Sequence, residues 1–234
     1  MKKMDLPWGS EESLRFITNV GLITSDGPHG PNIMAAEWTH HVSYGPGLIA
    51  VCFGPNRTTL ENIRATKKFG MSLASVEQTV AASTAGGTSG REYNKIAALK
   101  ELGFRFYKGK TGLLMVEDAA LNLECKVVNE IQLGDHTMVV GAVVELKANK
   151  NEPLAYHQGK YWKLEQTLSE PSEREREKIS AIVEKHRKKL ALEVKKIIEE
   201  VNKLGLDEQK KQLEKLAPEL LERKIEQKGL FDSF

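Results

Sequence analysis

A chain of 234 residues, 40% hydrophobic and 28% charged, has the makeup of a globular protein with one medium domain and room for an extension. A net charge of +2 gives no bulk argument for a nucleic-acid partner, and no apolar run nears the ~20 residues that span a bilayer. The two lysines of the opening MKKMDLPWGS precede no apolar signal core, so the expectation is a cytoplasmic protein with neither membrane nor nucleic acid as partner.

Residues 16–24 are rich in β-formers and read as a strand. Residues 26–31 include two glycines and two prolines, a turn that returns the chain as a hairpin, and His29 within it reads as a solvated turn residue. The returning strand, 32–42, sets the small Ala35 and Ala36 before Glu37, Trp38, Thr39, His40 and His41. Small side chains let a flat ligand reach the backbone, and polar and aromatic neighbours can orient it; an edge strand with one solvated face accounts for the same residues. His40 and His41, adjacent on a strand, are expected on opposite faces and so do not share a metal ion.

A turn at 43–46 leads into the apolar run 48–53, a strand that delivers Gly54-Pro55-Asn56-Arg57-Thr58-Thr59 to the start of a helix. One guanidinium, two hydroxyls and the free amides of a helix start together make a phosphate site. The simpler alternative is a helix capped by Thr58 or Thr59 beside a solvated Arg57. Residues 69–75 form a further strand, and 76–85 a short helical or irregular connector.

Residues 86–91 are a glycine and hydroxyl loop ending near Asn94 and Lys95. Neither the Walker order nor the dinucleotide-binding glycine pattern is present. The loop can still wrap a phosphate or ribityl chain, with Lys95 adding charge, or serve as an ordinary connection. Residues 93–102 read as a helix ended by Gly103. Two long β-segments, 113–131 and 137–146, are joined through 132–136, and 153–162 close the body. Cys52 and Cys125 lie in separate apolar strands and read as buried, reduced thiols. Many β-segments linked by turns and short helices predict a mainly β fold with α additions, an antiparallel barrel rather than a doubly wound sheet.

Four pieces in order carry a resemblance over residues 8–165. They are Asn32-Ile33-Met34-Ala35-Ala36-Glu37-Trp38, the Arg57-x-Thr59 pair before Asn62-Ile63, Gly134-Asp135-His136 followed by Gly141-x-Val143, and Pro153-Leu154-x-Tyr156-x-x-Gly159-x-Tyr161. With them the chain resembles the flavin reductase-like, flavoredoxin-type proteins of the FMN-binding split-barrel superfamily. The resemblance implies a homodimeric, antiparallel split β-barrel of Greek-key character that holds FMN near the subunit interface, over residues 1–168. It implies that Asn32, Ala35, Ala36, Glu37 and Trp38 lie along the isoalloxazine. Arg57, Thr58 and Thr59 are then expected to hold the phosphate, with Ser89, Gly90 and Lys95 completing the phosphate and ribityl side. His136 is expected near the flavin face where a reduced nicotinamide stacks, as an orienting residue. Two places depart from the family pattern: Asn94 stands where an acidic residue often precedes the lysine, and Gly45-Pro46-Gly47 replaces paired prolines.

From residue 169 onward charged residues approach half of all positions, marking residues 169–234 as a helical extension. Ser172 with Glu175 makes a capping box, and Ile179, Ile182, Val183, Leu190, Val194, Ile197, Ile198, Val201 and Leu204 fall on one face of a long helix stopped by Gly205. Shorter helices are expected from Asp207 and Pro218 to Gly229.

The function implied is an NADH- or NADPH-dependent flavin reductase, passing hydride to flavin N5 and electrons on to an acceptor. The alternatives are a flavoredoxin-type carrier, with tightly bound FMN and a protein redox partner, and a barrel that has lost its cofactor. No metal site is expected.

Overall fold

The computed structural model describes residues 4–203 and residue 208. Its strands are β1 (Thr18–Asn19), β2 (Gly21–Ser25), β3 (Asn32–Ala36), β4 (Thr39–Tyr44), β5 (Gly47–Phe53), β6 (Lys68–Leu73), β7 (Phe106–Lys108), β8 (Leu114–Val116), β9 (Leu121–Leu133), β10 (His136–Ala148), β11 (Ala155–His157) and β12 (Lys160–Trp162). Its α-helices are α1 (Thr58–Thr66), α2 (Thr79–Gly87), α3 (Lys95–Glu101) and α4 (Glu173–Val201). The fold is mainly β and antiparallel, with a C-terminal helix.

Seven strands form one sheet in the order β3-β2-β6-β9-β10-β5-β4; β1, β11 and β12 form a second, and β7 with β8 a hairpin. All five residues of β2 are buried, so both of its faces are covered. Successive side chains on a strand point to opposite faces. Ile23 therefore enters one hydrophobic cluster with Val51, Phe53, Phe69 and Val139, while Leu22 enters another with Ile33, Ala81, Leu99 and Leu154. Phe53 and Phe69 are wholly excluded from solvent, each contributing ~1.5–3 kcal/mol.

The sequence pattern at 32–42 suggests one strand, whereas the structure breaks it at Glu37 and Trp38 into β3 and β4. The break is what lets two consecutive strands occupy opposite ends of the seven-stranded sheet. The start of β4 packs closely on β2 and on β1 of the second sheet: a Cβ on Gly21 would fall 2.8 Å from Thr39 Oγ1, and the Asn19 amide donates to the Thr39 carbonyl at 2.7 Å. Likewise 113–131 is two strands, separated by a turn in which Asp118 has φ +60°. Residues 16–24 split into β1 and β2 on either side of Val20. The connector at 76–85 is ordered as a 3-10 turn and then α2, which runs on through Gly86 and Gly87 and shortens the expected loop.

The chain divides at Gln166 and Thr167 into two units. In the second, α4 opens with the Ser172–Glu175 capping box, in which the Ser172 N–H donates to Glu175 Oε2 at 2.8 Å. Leu190, Val194 and Ile197 are half-buried, while Ile179, Ile182 and Ile198 are exposed. The helix ends at Val201, before the expected position of Leu204. Leu204, the stop at Gly205 and the shorter helices expected to Gly229 lie outside the described residues. Among the described residues no helix is long and apolar enough to cross a membrane.

Candidate functional site

Strand β5 is buried along most of its length, and where it leaves the core the turn Gly54-Pro55-Asn56 hands the chain to α1. Asn56 adopts φ +59°, a left-handed conformation that asparagine tolerates better than most residues. Arg57, rather than Thr58 or Thr59, is the N-cap, and its side chain caps nothing. The first amides of α1 are thus left without partners inside the helix, and the guanidinium is free to face a neighbouring cleft.

That cleft measures about 80 Å³, and its walls include Asn32, Ala35, Arg57, Thr58, Thr59, Ser89, Gly90 and Lys95. Strand β3, the start of α1, the end of α2 and the loop before α3 thereby bring eight of the expected binding residues to one place. The Asn32 amide nitrogen donates to Thr58 Oγ1 at 3.0 Å and to Thr59 Oγ1 at 2.9 Å. Because those oxygens act as acceptors, both hydroxyl protons remain to be donated elsewhere. Lys95 is buried at 5% exposure and donates one proton to the Ala85 carbonyl at 2.8 Å. Burial first, and then the Arg57 charge, pull the Lys95 ammonium down from 10.5 to about 8.

The lining contains no carboxylate. Two cations, two hydroxyl donors and a helix start with free amides form an almost purely donating surface, which suits a compact oxyanion such as a terminal phosphate. Glycine is required at its edge: a Cβ on Gly90 would lie 2.7 Å from Asn32 Oδ1 and 2.8 Å from Thr58 Oγ1. At Gly86 a Cβ would come 3.3 Å from Ala35, so the close packing of α2 on β3 also depends on a missing side chain.

Glu37, Trp38 and His136 lie instead on a second, larger cleft of about 680 Å³. The Trp38 and His136 rings sit 4.6 Å apart, tilted by 43°. His136 Nδ1 hydrogen-bonds Asp135 Oδ1 at 2.8 Å, and this bond from His136 holds the Asp135 carboxyl below its ordinary range. With Nδ1 so engaged, Nε2 is the ring atom left for another partner. Gly54 lies beside a residue of each cleft, since a Cβ there would lie 3.6 Å from His136 Nε2 and 3.7 Å from Arg57 Nε. Ala36, by contrast, turns its side chain into the core with Ile23 and Phe53 and lines neither cleft.

His29 is an exposed turn residue as expected, and its Nε2 also bonds the Glu61 carboxylate, which takes Arg91 from the glycine loop as well. The hydrogen bond from His29, with the Arg91 charge, holds Glu61 below the usual carboxylate range. His40 and His41 pair in regular register with Ala50 and Ile49, the β4–β5 ladder slipping only after His41, and their ring centroids lie 4.6 Å apart. Among the described residues no group of His, Cys, Asp and Glu is arranged to hold a metal. Cys125 is buried, with burial pushing its thiol up to about 12, whereas Cys52 is only half-buried. Sequence reasoning missed Asn56 and Thr88 in the small cleft, although both stand in turn motifs. It also missed residues 5–9 on the large one, where no local pattern signals a ligand.

Residues 13–165 match the family model of the flavin reductase like domain. The chain belongs to that family. An uncharacterized protein of Archaeoglobus fulgidus is 32% identical over 120 residues, covering 51% of this chain and 67% of that protein. An NADH-dependent flavin reductase of a Rhodococcus species is 28% identical over 158 residues, covering 64% and 82% of the two chains. Among solved structures, the flavin reductase PheA2 in its native state superposes with a TM-score of 0.57 at 30% identity, covering 66% of this chain and 95% of that one.

Proposed function

We propose that this protein is an FMN-binding flavin reductase that takes hydride from NADH or NADPH and passes electrons to an acceptor. The observation that supports this most directly is the small, carboxylate-free cleft at the start of α1, with Gly54 lying between its Arg57 and the His136 of the larger cleft. A terminal phosphate monoester fits the first, and a planar ring extending from it toward the second would run past β3. Bound flavin supplies the hydride-accepting and electron-donating chemistry.

The chain's own groups bind and orient. Arg57 and Lys95 neutralise the phosphate, Thr58 and Thr59 donate hydroxyl protons to it, and Ser89 and Gly90 close the loop over it. Asn32 fixes the two hydroxyls from below. Ala35 leaves β3 open to close approach, while Ala36, Glu37 and Trp38 contribute backbone and edge contacts along the ring. His136, steadied by Asp135 and packed on Trp38, orients the nicotinamide and needs no proton transfer of its own. The assembly proposed is a homodimer in the cytoplasm, with residues 169–234 as a separate helical extension. The relative from Rhodococcus, by its name NADH-dependent, supports a nicotinamide donor.

Nicotinamide oxidation by the purified protein, with and without added FMN, tests the reading. Turnover that depends on flavin supports the reductase. FMN that stays bound yet is not reduced by either nicotinamide would point to a carrier served by a protein redox partner.

A further inference from the structure

Ser89 and Gly90 close one side of the small cleft, yet little holds their loop there. Its own bonds are local: the Glu92 and Tyr93 N–H groups both donate to the Ser89 carbonyl at 3.1 Å, and the Arg91 N–H donates to Ser89 Oγ at 3.2 Å. Among the described residues, the hydrogen bond that ties residues 89–93 to a distant segment is the one from the Arg91 guanidinium to Glu61. Glu61 lies in the first turn of α1, whose start supplies Thr58 and Thr59 to the same cleft. Its other carboxylate oxygen is taken by His29 Nε2, and the His29 N–H donates to Asn62 Oδ1 at 3.0 Å. Asn62 is wholly buried and holds the 26–31 turn a second time through the Gly30 carbonyl at 2.8 Å. That turn is therefore fixed to α1 without Glu61, whereas the glycine loop has no other hydrogen-bonded tie among the described residues. A carboxylate with both oxygens engaged presents a fixed acceptor to a guanidinium, which limits the positions open to the loop.

We propose that Glu61 is a positioning residue: braced by His29, it clamps Arg91 and so sets Ser89 and Gly90 against a phosphate in the small cleft. Neither Glu61 nor Arg91 lines that cleft. The clamp rests on the proposed function for the identity of that phosphate, the terminal group of FMN. Charge separates a clamp from a field effect. Glu61 and Arg91 carry opposite charges, so through space alone their removal would move the affinity for a phosphate in opposite directions. Loss of a shared tie moves both the same way, toward weaker binding.

Fluorescence titration of the full-length protein with FMN and with riboflavin, which lacks the phosphate, tests this in Glu61→Ala and Arg91→Ala. Both variants are expected to raise the Kd for FMN about two- to fivefold, the span an exposed ion pair supplies, and to leave riboflavin binding unchanged. Arg91→Lys, which keeps the cation, should stay close to the parent. Both side chains are partly solvated and alanine suits a helix, so the fold is retained. Tighter or unchanged FMN binding in Glu61→Ala would overturn the proposal, and so would equal losses for FMN and riboflavin, the mark of a merely structural role. Trypsin nicking after Arg91 in the flavin-free protein reads the clamp without any ligand; it should quicken several-fold in Glu61→Ala, and an unchanged rate would also overturn the proposal. A parent that takes up no flavin, with nicking quickened in the variant, sinks the reductase and leaves the clamp. FMN bound equally well by parent and variant does the reverse.

Discussion

Lys95→Met offers the sharpest single test of the small cleft, because it moves stability and ligand binding in opposite directions. The ammonium is buried and pulled down from 10.5 to about 8, chiefly by burial. At ~1.4 kcal/mol per pH unit, the gap makes the charged lysine cost about 3 kcal/mol at neutral pH, reduced to roughly 2 by solvent screening at the cleft mouth. Methionine removes that cost but also the hydrogen bond to the Ala85 carbonyl, worth ~1 kcal/mol. The flavin-free variant should therefore gain about 1 kcal/mol, a rise in Tm of roughly 2–4 °C for a chain of this length. FMN binding loses a charge-assisted contact of ~1.5–3 kcal/mol, so its Kd should rise between about tenfold and a hundredfold. Calorimetry of the flavin-free protein and fluorescence titration with FMN measure the two effects. A variant that melts lower and binds FMN as tightly as the parent would show that Lys95 is a structural lysine and that the phosphate assignment is wrong.

The same lysine sets a pH dependence. Between pH 8 and 10.5 the unfolded chain binds more protons than the folded one at this position, so the lysine's contribution makes the flavin-free protein more stable as pH rises through that window. FMN affinity runs the other way, flat below pH 8 and falling by up to ~tenfold per unit above it, since the phosphate selects the ammonium; titration across pH 7–10 reads this directly, and a flat profile refutes it. Arg57→Ala should lower FMN affinity by ~1.5–3 kcal/mol while circular dichroism and Tm stay unchanged, because Arg57 is exposed in a loop. Gly90→Ala sets a methyl against the hydrogen-bonded Asn32–Thr58 pair and should cost ~1–3 kcal/mol of stability along with FMN affinity, measured by urea unfolding and titration. Gly141→Ala, at a position that lines neither cleft, would place Cβ 2.5 Å from Phe69 Cε1 and should destabilise by ~1–3 kcal/mol with flavin affinity preserved.

Much of this was legible in the sequence because the small cleft is built from local signals. A buried strand, a turn and a helix start place Arg57, Thr58 and Thr59 together within a few residues, and glycine with hydroxyl residues marks the loop that meets them. The antiparallel class was legible for a similar reason, since hairpin turns such as 26–31 are written in glycine and proline. What stayed hidden depends on long-range pairing. The break at Glu37 and Trp38 follows from β3 and β4 lying at opposite ends of the sheet, which no local pattern records. Ala36 reads like Ala35 in sequence, yet the strand alternation sends one into the core and the other to the cleft. His29 finds Glu61 and Arg91 only once three distant segments are folded together.

The most direct test of the reductase assignment is the absorbance spectrum of the purified, desalted protein, loaded with FMN and then mixed anaerobically with NADH and, separately, NADPH. The account predicts flavin bands that survive desalting or return on soaking with FMN, and that bleach rapidly with at least one of the two nicotinamides. A protein that takes up no flavin after soaking would contradict the account at its centre.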